Sequence, residues 1–299
     1  VALCSPRCLG RWLGNLGSNA VARLRIPCTI RLFTSTCMAD EVSVTTDVGI
    51  SSFICVPRVF KSGGYNLRNS VDLATFPDAS PKADDEIVET LEFGMKTDFE
   101  KGRLNWALFN TMVDDSQRMT NIQDPVSGVA QVVKNAGDIA YRGFEVDGVY
   151  LISDVVTMVA SVGYVHSKYE NLISDLNGDF VINALDYALE IPRAAPLTYS
   201  IGFNVDGNIG SWQSISRFSF YHRDKSFYNE NNQGYINEQD ILNLGYDVYS
   251  PDGKINIGIY AKNLKNEVKH GGDTNLSFGG TFAPLAKGKI VGAEVVYKF

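Results

Sequence analysis

Period two dominates this chain. Leu91-Glu92-Phe93-Gly94-Met95-Lys96, Tyr199-Ser200-Ile201-Gly202-Phe203-Asn204, Leu242-Asn243-Leu244-Gly245-Tyr246-Asp247 and Ile255-Asn256-Ile257-Gly258-Ile259 each alternate an apolar residue with a polar residue or glycine. Side chains on a strand point alternately to opposite faces, so every such segment has one apolar face and one polar, glycine-dotted face. Two architectures use faces of this kind. A soluble sandwich buries the apolar ones, whereas a transmembrane barrel shows them to lipid and turns the polar ones into a wet lumen.

Strand length and loop rhythm favour the barrel. The pattern predicts about ten strands, over 60–66, 86–99, 103–115, 139–152, 155–168, 196–206, 211–224, 239–250, 254–264 and 288–299. Glu100-Lys101-Gly102, Ser153-Asp154, Gly207-Asn208-Ile209-Gly210 and Ser250-Pro251-Asp252-Gly253 read as tight hairpin turns. Between them lie long polar stretches near 116–138, 169–195, 225–238 and 265–287. Short turns at one end and long loops at the other describe an antiparallel up-and-down transmembrane β-barrel. Sandwich strands usually run about 5 to 6 residues, and these run longer. The polar faces agree: Glu92, Lys96 and Asp98 share one face, as do Asn204 with Asp206, Asn243 with Asp247, and Asn256 with Lys262. Burying such groups unpaired in a dry core costs several kcal/mol each. A hydrated lumen removes that penalty, and glycines keep the inner face low.

Composition narrows the function. The formal net charge is −7 and no basic patch breaks the balance, which argues against nucleic acid as a partner. No stretch approaches the roughly 18 to 20 apolar residues of a spanning helix. All five cysteines (Cys4, Cys8, Cys28, Cys37 and Cys55) lie in the first 55 residues, and the first 39 carry five arginines, no lysine and no acidic residue. Those arginines interrupt any secretory apolar core, and no C-x-x-C pair suggests zinc. An organellar presequence fits the composition better, although the chain opens on Val1. Residues 1–59 are expected to be an atypical head outside the fold, such as misassigned coding sequence, and 60–299 to be the β segment.

Several motifs in order then resemble one family. Phe60-Lys61-Ser62-Gly63-Gly64-Tyr65-Asn66 looks like a strand of the barrel of TonB-dependent outer-membrane receptors. Glu89-Thr90-Leu91-Glu92-Phe93-Gly94-Met95-Lys96, the hairpin Gly102-Arg103-Leu104-Asn105, Asn135 with Gly143-Phe144-Glu145, and Ile191-Pro192-Arg193 resemble its later segments. So does Lys262-Asn263-Leu264-Lys265-Asn266-Glu267. Gly292, Val295, Tyr297 and Phe299 resemble the C-terminal signal that the barrel-assembly machinery reads, although Ile290 stands where that signal usually has a polar residue. The resemblance implies the C-terminal part of a larger barrel, a partial one of about ten strands, with no plug and no Ton box. It implies an outer-membrane location in a Gram-negative bacterium, with outer-membrane lipid as a partner. For the parent it implies energised uptake of an iron-siderophore or similar scarce ligand, reached by TonB only through the missing plug. A soluble all-β interaction domain and a small free-standing pore are the alternatives.

One loop has a chemistry of its own. Asp175, Asn177, Asp179, Val181 and Asp186 fall at the spacing D-x-N-x-D-x-V-I-N-x-x-D and resemble the calcium loops of EF-hand and dockerin modules. Calcium takes six to eight oxygens, and this loop offers carboxylates, an amide and the Val181 carbonyl. Phe180 departs from the pattern, where the sharp turn normally has glycine, and Asp186 replaces the longer glutamate. Bound calcium would stiffen an extracellular loop; no cofactor is required. No catalytic set is expected, because the three histidines, His166, His222 and His270, are far apart and carry no supporting spacing.

Overall fold

The computed structural model describes residues 21–24, 30–32, 35–45, 49–65, 82–124, 128–179, 181–271, 274–275 and 281–299. The long strands are β1 (Ser35–Thr45), β2 (Ile50–Lys61), β3 (Glu86–Phe99), β4 (Gly102–Asp114), β5 (Gly137–Ser153) and β6 (Val156–Leu172). They continue as β7 (Leu197–Ile209), β8 (Trp212–Arg223), β9 (Gln239–Tyr249), β10 (Ile255–Lys262) and β11 (Ile290–Tyr297). Each pairs antiparallel with the next, so the sheet is a plain meander. Short segments Val21–Leu24 and Ile30–Leu32 pair with β1 and complete a 13-stranded sheet. Its outermost strands, Val21–Leu24 and β11, do not pair with each other among the described residues, so the sheet is open. The nine strands β3 to β11 are those the alternation predicts from 86–99 onward; the remaining expected strand, 60–66, meets β2 only at its end.

The first expected strand is shifted. Instead of 60–66, β2 spans Ile50–Lys61 and pairs with β3 as far as Lys61. Composition placed a boundary near residue 59; β2 crosses it. Glycine ends the strand: a Cβ on Gly63 would stand 2.3 Å from the Ala83 carbonyl oxygen. Gly64–Tyr65 then pairs with Lys82–Ala83 as a separate two-residue ladder, so the Phe60–Asn66 motif is a strand end and the start of a loop.

The register sorts side chains cleanly. One lateral row runs Ile54, Phe93, Leu108, Phe144, Tyr164, Leu197 across β2 to β7. Phe93 is 44% exposed and Leu108 50%, so this row is no core. Five of these side chains are 36–50% exposed, so leaving them in water forfeits roughly half of the 1.5–3 kcal/mol that full burial gives each, on the order of 5 kcal/mol for one row. That is comparable to the lower end of a typical domain's stability, and lipid on this face recovers it. The adjacent row, Phe53, Gly94, Ala107, Glu145, Gly163 and Thr198, belongs to the other face. There Arg217 pairs with Asp247, Asn105 donates to Asp147 at 2.9 Å, and Arg103 meets Asp98 at 2.6 Å. Trp106, Tyr164, Trp212, Phe220 and Tyr297 face outward, as interfacial aromatics do, whereas Tyr221 faces inward.

Glycines on the inner face do more than leave room. A Cβ on Gly94 would lie 2.6 Å from the Phe53 ring, on Gly143 2.6 Å from Phe109, and on Gly292 2.5 Å from Tyr260. At each, an aromatic from the neighbouring strand covers the bare backbone, so part of the space expected for the lumen is filled.

Connections alternate as expected. β3–β4, β5–β6, β7–β8 and β9–β10 close through tight turns, while 62–85, 115–136, 173–196, 224–238 and 263–289 are long. Four of these five long loops carry a two-stranded ladder of their own. The exception is 173–196, which holds the short helix α1 (Ala184–Tyr187).

Candidate functional site

Strands β5 and β6 have 17 residues each, about 55 Å at the usual rise. A tilted crossing needs only about 9–11 residues, so both project past the membrane on the long-loop side. At that end Val113, Ala136, Ile139, Tyr169, Leu172, Leu176 and Ile191 form a buried apolar cluster. Leu176 and Ile191 come from the acidic loop, which is therefore pinned to the wall at both its start and its end.

Between those two pins the loop is organised around Asp186, which is fully buried. One carboxylate oxygen accepts from the Leu176 and Asn177 amides at 2.9 and 3.0 Å; the other accepts from Asn183 at 3.0 Å. Asn183 caps α1 in return by accepting from the Leu185 amide at 2.7 Å, a reciprocal capping box. Burial pushes the Asp186 carboxyl up, but the three backbone donors and Asp175 outweigh it and hold it below the ordinary aspartate value. Asp175 accepts from the Gly178 amide, Asn177 from Asp179, and Asp179 from Val181.

The structure brings three of the five expected ligands together. Carboxylate oxygens of Asp175, Asp179 and Asp186 all lie within 4.8 Å of one another. Oxygens bound to one ion at 2.3–2.6 Å span no more than about 5 Å, so the three carboxylates can hold a divalent cation. The Asn177 oxygen and the Val181 carbonyl are engaged inside the loop, the latter accepting from the Asn183 side chain at 3.1 Å. Phe180 lies outside the described residues.

Other motif residues turn out to anchor loops. Asn135 donates to the Asp84 and Asp115 carbonyls and accepts from the Asp84 amide. Arg193, at φ 61°, donates its amide to Phe227 at 2.7 Å and stacks its guanidinium over Tyr228. Asn263 is buried at φ 51°; its side chain donates to the Glu267 and Lys287 carbonyls and accepts from the Glu267 amide. Sequence reasoning named Gln117 nowhere, yet its amide reaches the Ser62 and Asp84 carbonyls. A lone glutamine in a polar stretch carries no periodic signal.

His222 lies between Asp240 at 2.7 Å and Asp224 at 3.0 Å, so both ring nitrogens face carboxylates and neither is left for a nucleophile. At the other end of the chain, β11 presents Val291, Val295 and Tyr297 outward, with Phe299 edge-on to Tyr297 at 5.2 Å.

Comparison with known proteins fits this geometry. No curated protein matches the chain. The family model described as TonB dependent receptor-like, beta-barrel matches residues 58–264. The ferric yersiniabactin uptake receptor FyuA from Yersinia pestis superposes with a TM-score of 0.70 at 17% identity, over 89% of this chain and 37% of that one. The copper transporter OprC gives 0.63 at 13%, over 89% and 40%. The siderophore receptor PiuA from Acinetobacter baumannii gives 0.60 at 16%, over 87% and 35%. The chain spans 35–40% of the length of these three solved proteins. The family is one of transport proteins, in agreement with the expectation of no enzyme. The chain belongs to the TonB-dependent receptor β-barrel family of the Gram-negative outer membrane, and β2 to β11 are a contiguous stretch of such a barrel's wall.

Proposed function

We propose that this chain forms the C-terminal wall of a receptor that takes up an iron-siderophore or a similarly scarce ligand across the outer membrane. The observation that carries the reading is the two-faced meander, apolar outside and polar inside, whose long loops all gather at one end. Solved proteins of this fold are named as receptors or transporters for ferric yersiniabactin, copper and siderophores, which supports a scarce-metal ligand. Energy would arrive from TonB through a plug. The test is uptake of radioactive iron from a panel of siderophores by cells with and without the gene. Loss of uptake from one siderophore supports the reading; unchanged uptake of all of them under iron limitation overturns it.

Three finer parts belong to the same proposal. Gly292, Val295, Tyr297 and Phe299 engage the barrel-assembly machinery, supported by the exposed apolar edge of β11; deleting Phe299 should lower the amount of chain in outer membranes. Asp175, Asp179 and Asp186 hold calcium, supported by their convergence. Terbium luminescence competed away by calcium, and abolished in Asp175→Asn/Asp179→Asn, is the expected result; equal luminescence in the variant contradicts it. The division near residue 59 is supported by the family match beginning at residue 58 and by the cysteine-rich composition before it, with residues 50–59 serving as wall.

A further inference from the structure

The position of His222 gives its two carboxylate contacts a lever. On β8 the outward positions Trp212, Ser214, Ser216, Phe218 and Phe220 carry no charge. That run rises about 26 Å, the height of the lipid-facing band of such barrels. His222 is the next outward position, so it stands on the rim at the long-loop end. Asp224 is the first residue of the 224–238 loop, and Asp240 lies just past its last. With Nδ1 2.7 Å from Asp240 and Nε2 3.0 Å from Asp224, the ring closes the base of that loop.

Only a protonated imidazole can donate from both nitrogens. The neutral ring has a single N–H, and its other nitrogen would turn a lone pair toward a carboxylate. Asp240 also takes Lys265 at 3.5 Å, and Lys269 is held by Glu267 at 2.7 Å and Glu238 at 3.7 Å. Asp224 accepts from the Leu197 amide at 3.1 Å with its other oxygen, and its own amide donates to the Leu197 carbonyl at 2.9 Å. On β7, Tyr199 stacks on the ring with centroids 4.7 Å apart. The hydrogen bond to Asp240, then that to Asp224, raises the imidazole above the ordinary histidine value despite its partial burial.

We propose that His222 is a pH-sensitive clamp: charged, it fastens the 224–238 loop to the wall, and neutral, it releases one end of it. The clamp is complete below the ordinary histidine value of about 6.5. It is lost as pH rises through the higher folded value. The same loop is tied to the 173–196 loop. Asn232 exchanges hydrogen bonds with the Glu190 backbone at 2.7 and 2.9 Å, and the Phe227 carbonyl takes the Arg193 amide. Release at the base therefore bears on two of the long loops. A hydrogen bond to a charged group is worth roughly 10- to 100-fold in an equilibrium. This partly exposed site takes the low end, about tenfold.

The test is hydrogen exchange by mass spectrometry on the full chain in lipid bilayers at about pH 6 and about pH 9, either side of the histidine range, corrected for the pH dependence of intrinsic exchange. Protection of peptides covering 224–238 should fall about tenfold from the lower pH to the higher, while β5 and β6 keep theirs. His222→Phe keeps a ring against Tyr199 without a donor, and should show the lower protection at both pH values. Asp224→Asn offers its side-chain amide to the neutral ring, and should show the higher protection at both. A step that survives in either variant belongs to another group and overturns the clamp. So does equal protection of the wild-type loop at the two pH values, or a His222 imidazole resonance that titrates at or below about 6.5. None of these readouts depends on which ligand the receptor takes.

Discussion

Replacing Asp186 with alanine removes the acceptor of three backbone amides at once, those of Leu176, Asn177 and Asn183. A buried donor left without a partner costs about 1–3 kcal/mol. The loop lies near solvent and can admit water on opening, so the low end applies to each, or about 3 kcal/mol together. At 1.4 kcal/mol per tenfold, the opening equilibrium of the loop should rise about 100-fold. The loss is local, because the strands on either side are held by their own ladders and by the Ile139 cluster. Hydrogen exchange by mass spectrometry on peptides covering 173–190 measures it directly. Protection there should fall about 100-fold while β5 and β6 keep theirs. A change under threefold would show that Asp186 is not the keystone; a loss spread over β5 to β7 would show that the loop is not a separate unit.

Acid should reproduce the same opening. The Asp186 carboxyl sits below the ordinary aspartate value in the folded loop, so its stabilisation is fully present above the ordinary value and fades as pH falls through the folded one. Loop protection should therefore hold from neutral pH to about 4 and drop below it, with Asp186→Ala lacking that acid step. Asn263→Ala removes a buried side chain that ties Glu267 and Lys287 together, and should open the 263–289 loop by about 2 kcal/mol. Faster trypsin cleavage at Lys265 and Lys269 would report it, and unchanged cleavage would count against the role. Gly292→Val drives a side chain into the Tyr260 ring and should loosen β11; adding Tyr260→Ala should restore part of its hydrogen-exchange protection. If the double variant is no better than Gly292→Val alone, the ring is not the obstacle.

Much of the wall was legible because its physics is periodic. Nine of the ten expected strands, from 86–99 onward, lie within a few residues of their observed ends, since alternation such as Leu91-Glu92-Phe93 survives in any register. β2 was harder to place. Cys55, Pro57 and Arg58 blur its alternation, and the glycine pair that looked like strand interior is where the strand stops. The acidic loop was legible as a motif because its ligands are local in sequence. Its anchoring was not, since the packing of Leu176 and Ile191 against Ile139 and Tyr169 is set by tertiary contact alone. The same holds for the rings over Gly94, Gly143 and Gly292: sequence shows the glycine, and only the cross-strand register shows the aromatic opposite it.

The central claim is that the apolar face of this meander meets lipid. Single nitroxide labels along β3, in lipid bilayers, test it most directly. Collision rates with lipid-soluble oxygen should be high at 91, 93 and 95 and low at 92 and 96, with a water-soluble relaxer showing the reverse. Uniform protection of 91, 93 and 95 from both relaxers would mean that another layer of protein covers this face, and would contradict the account.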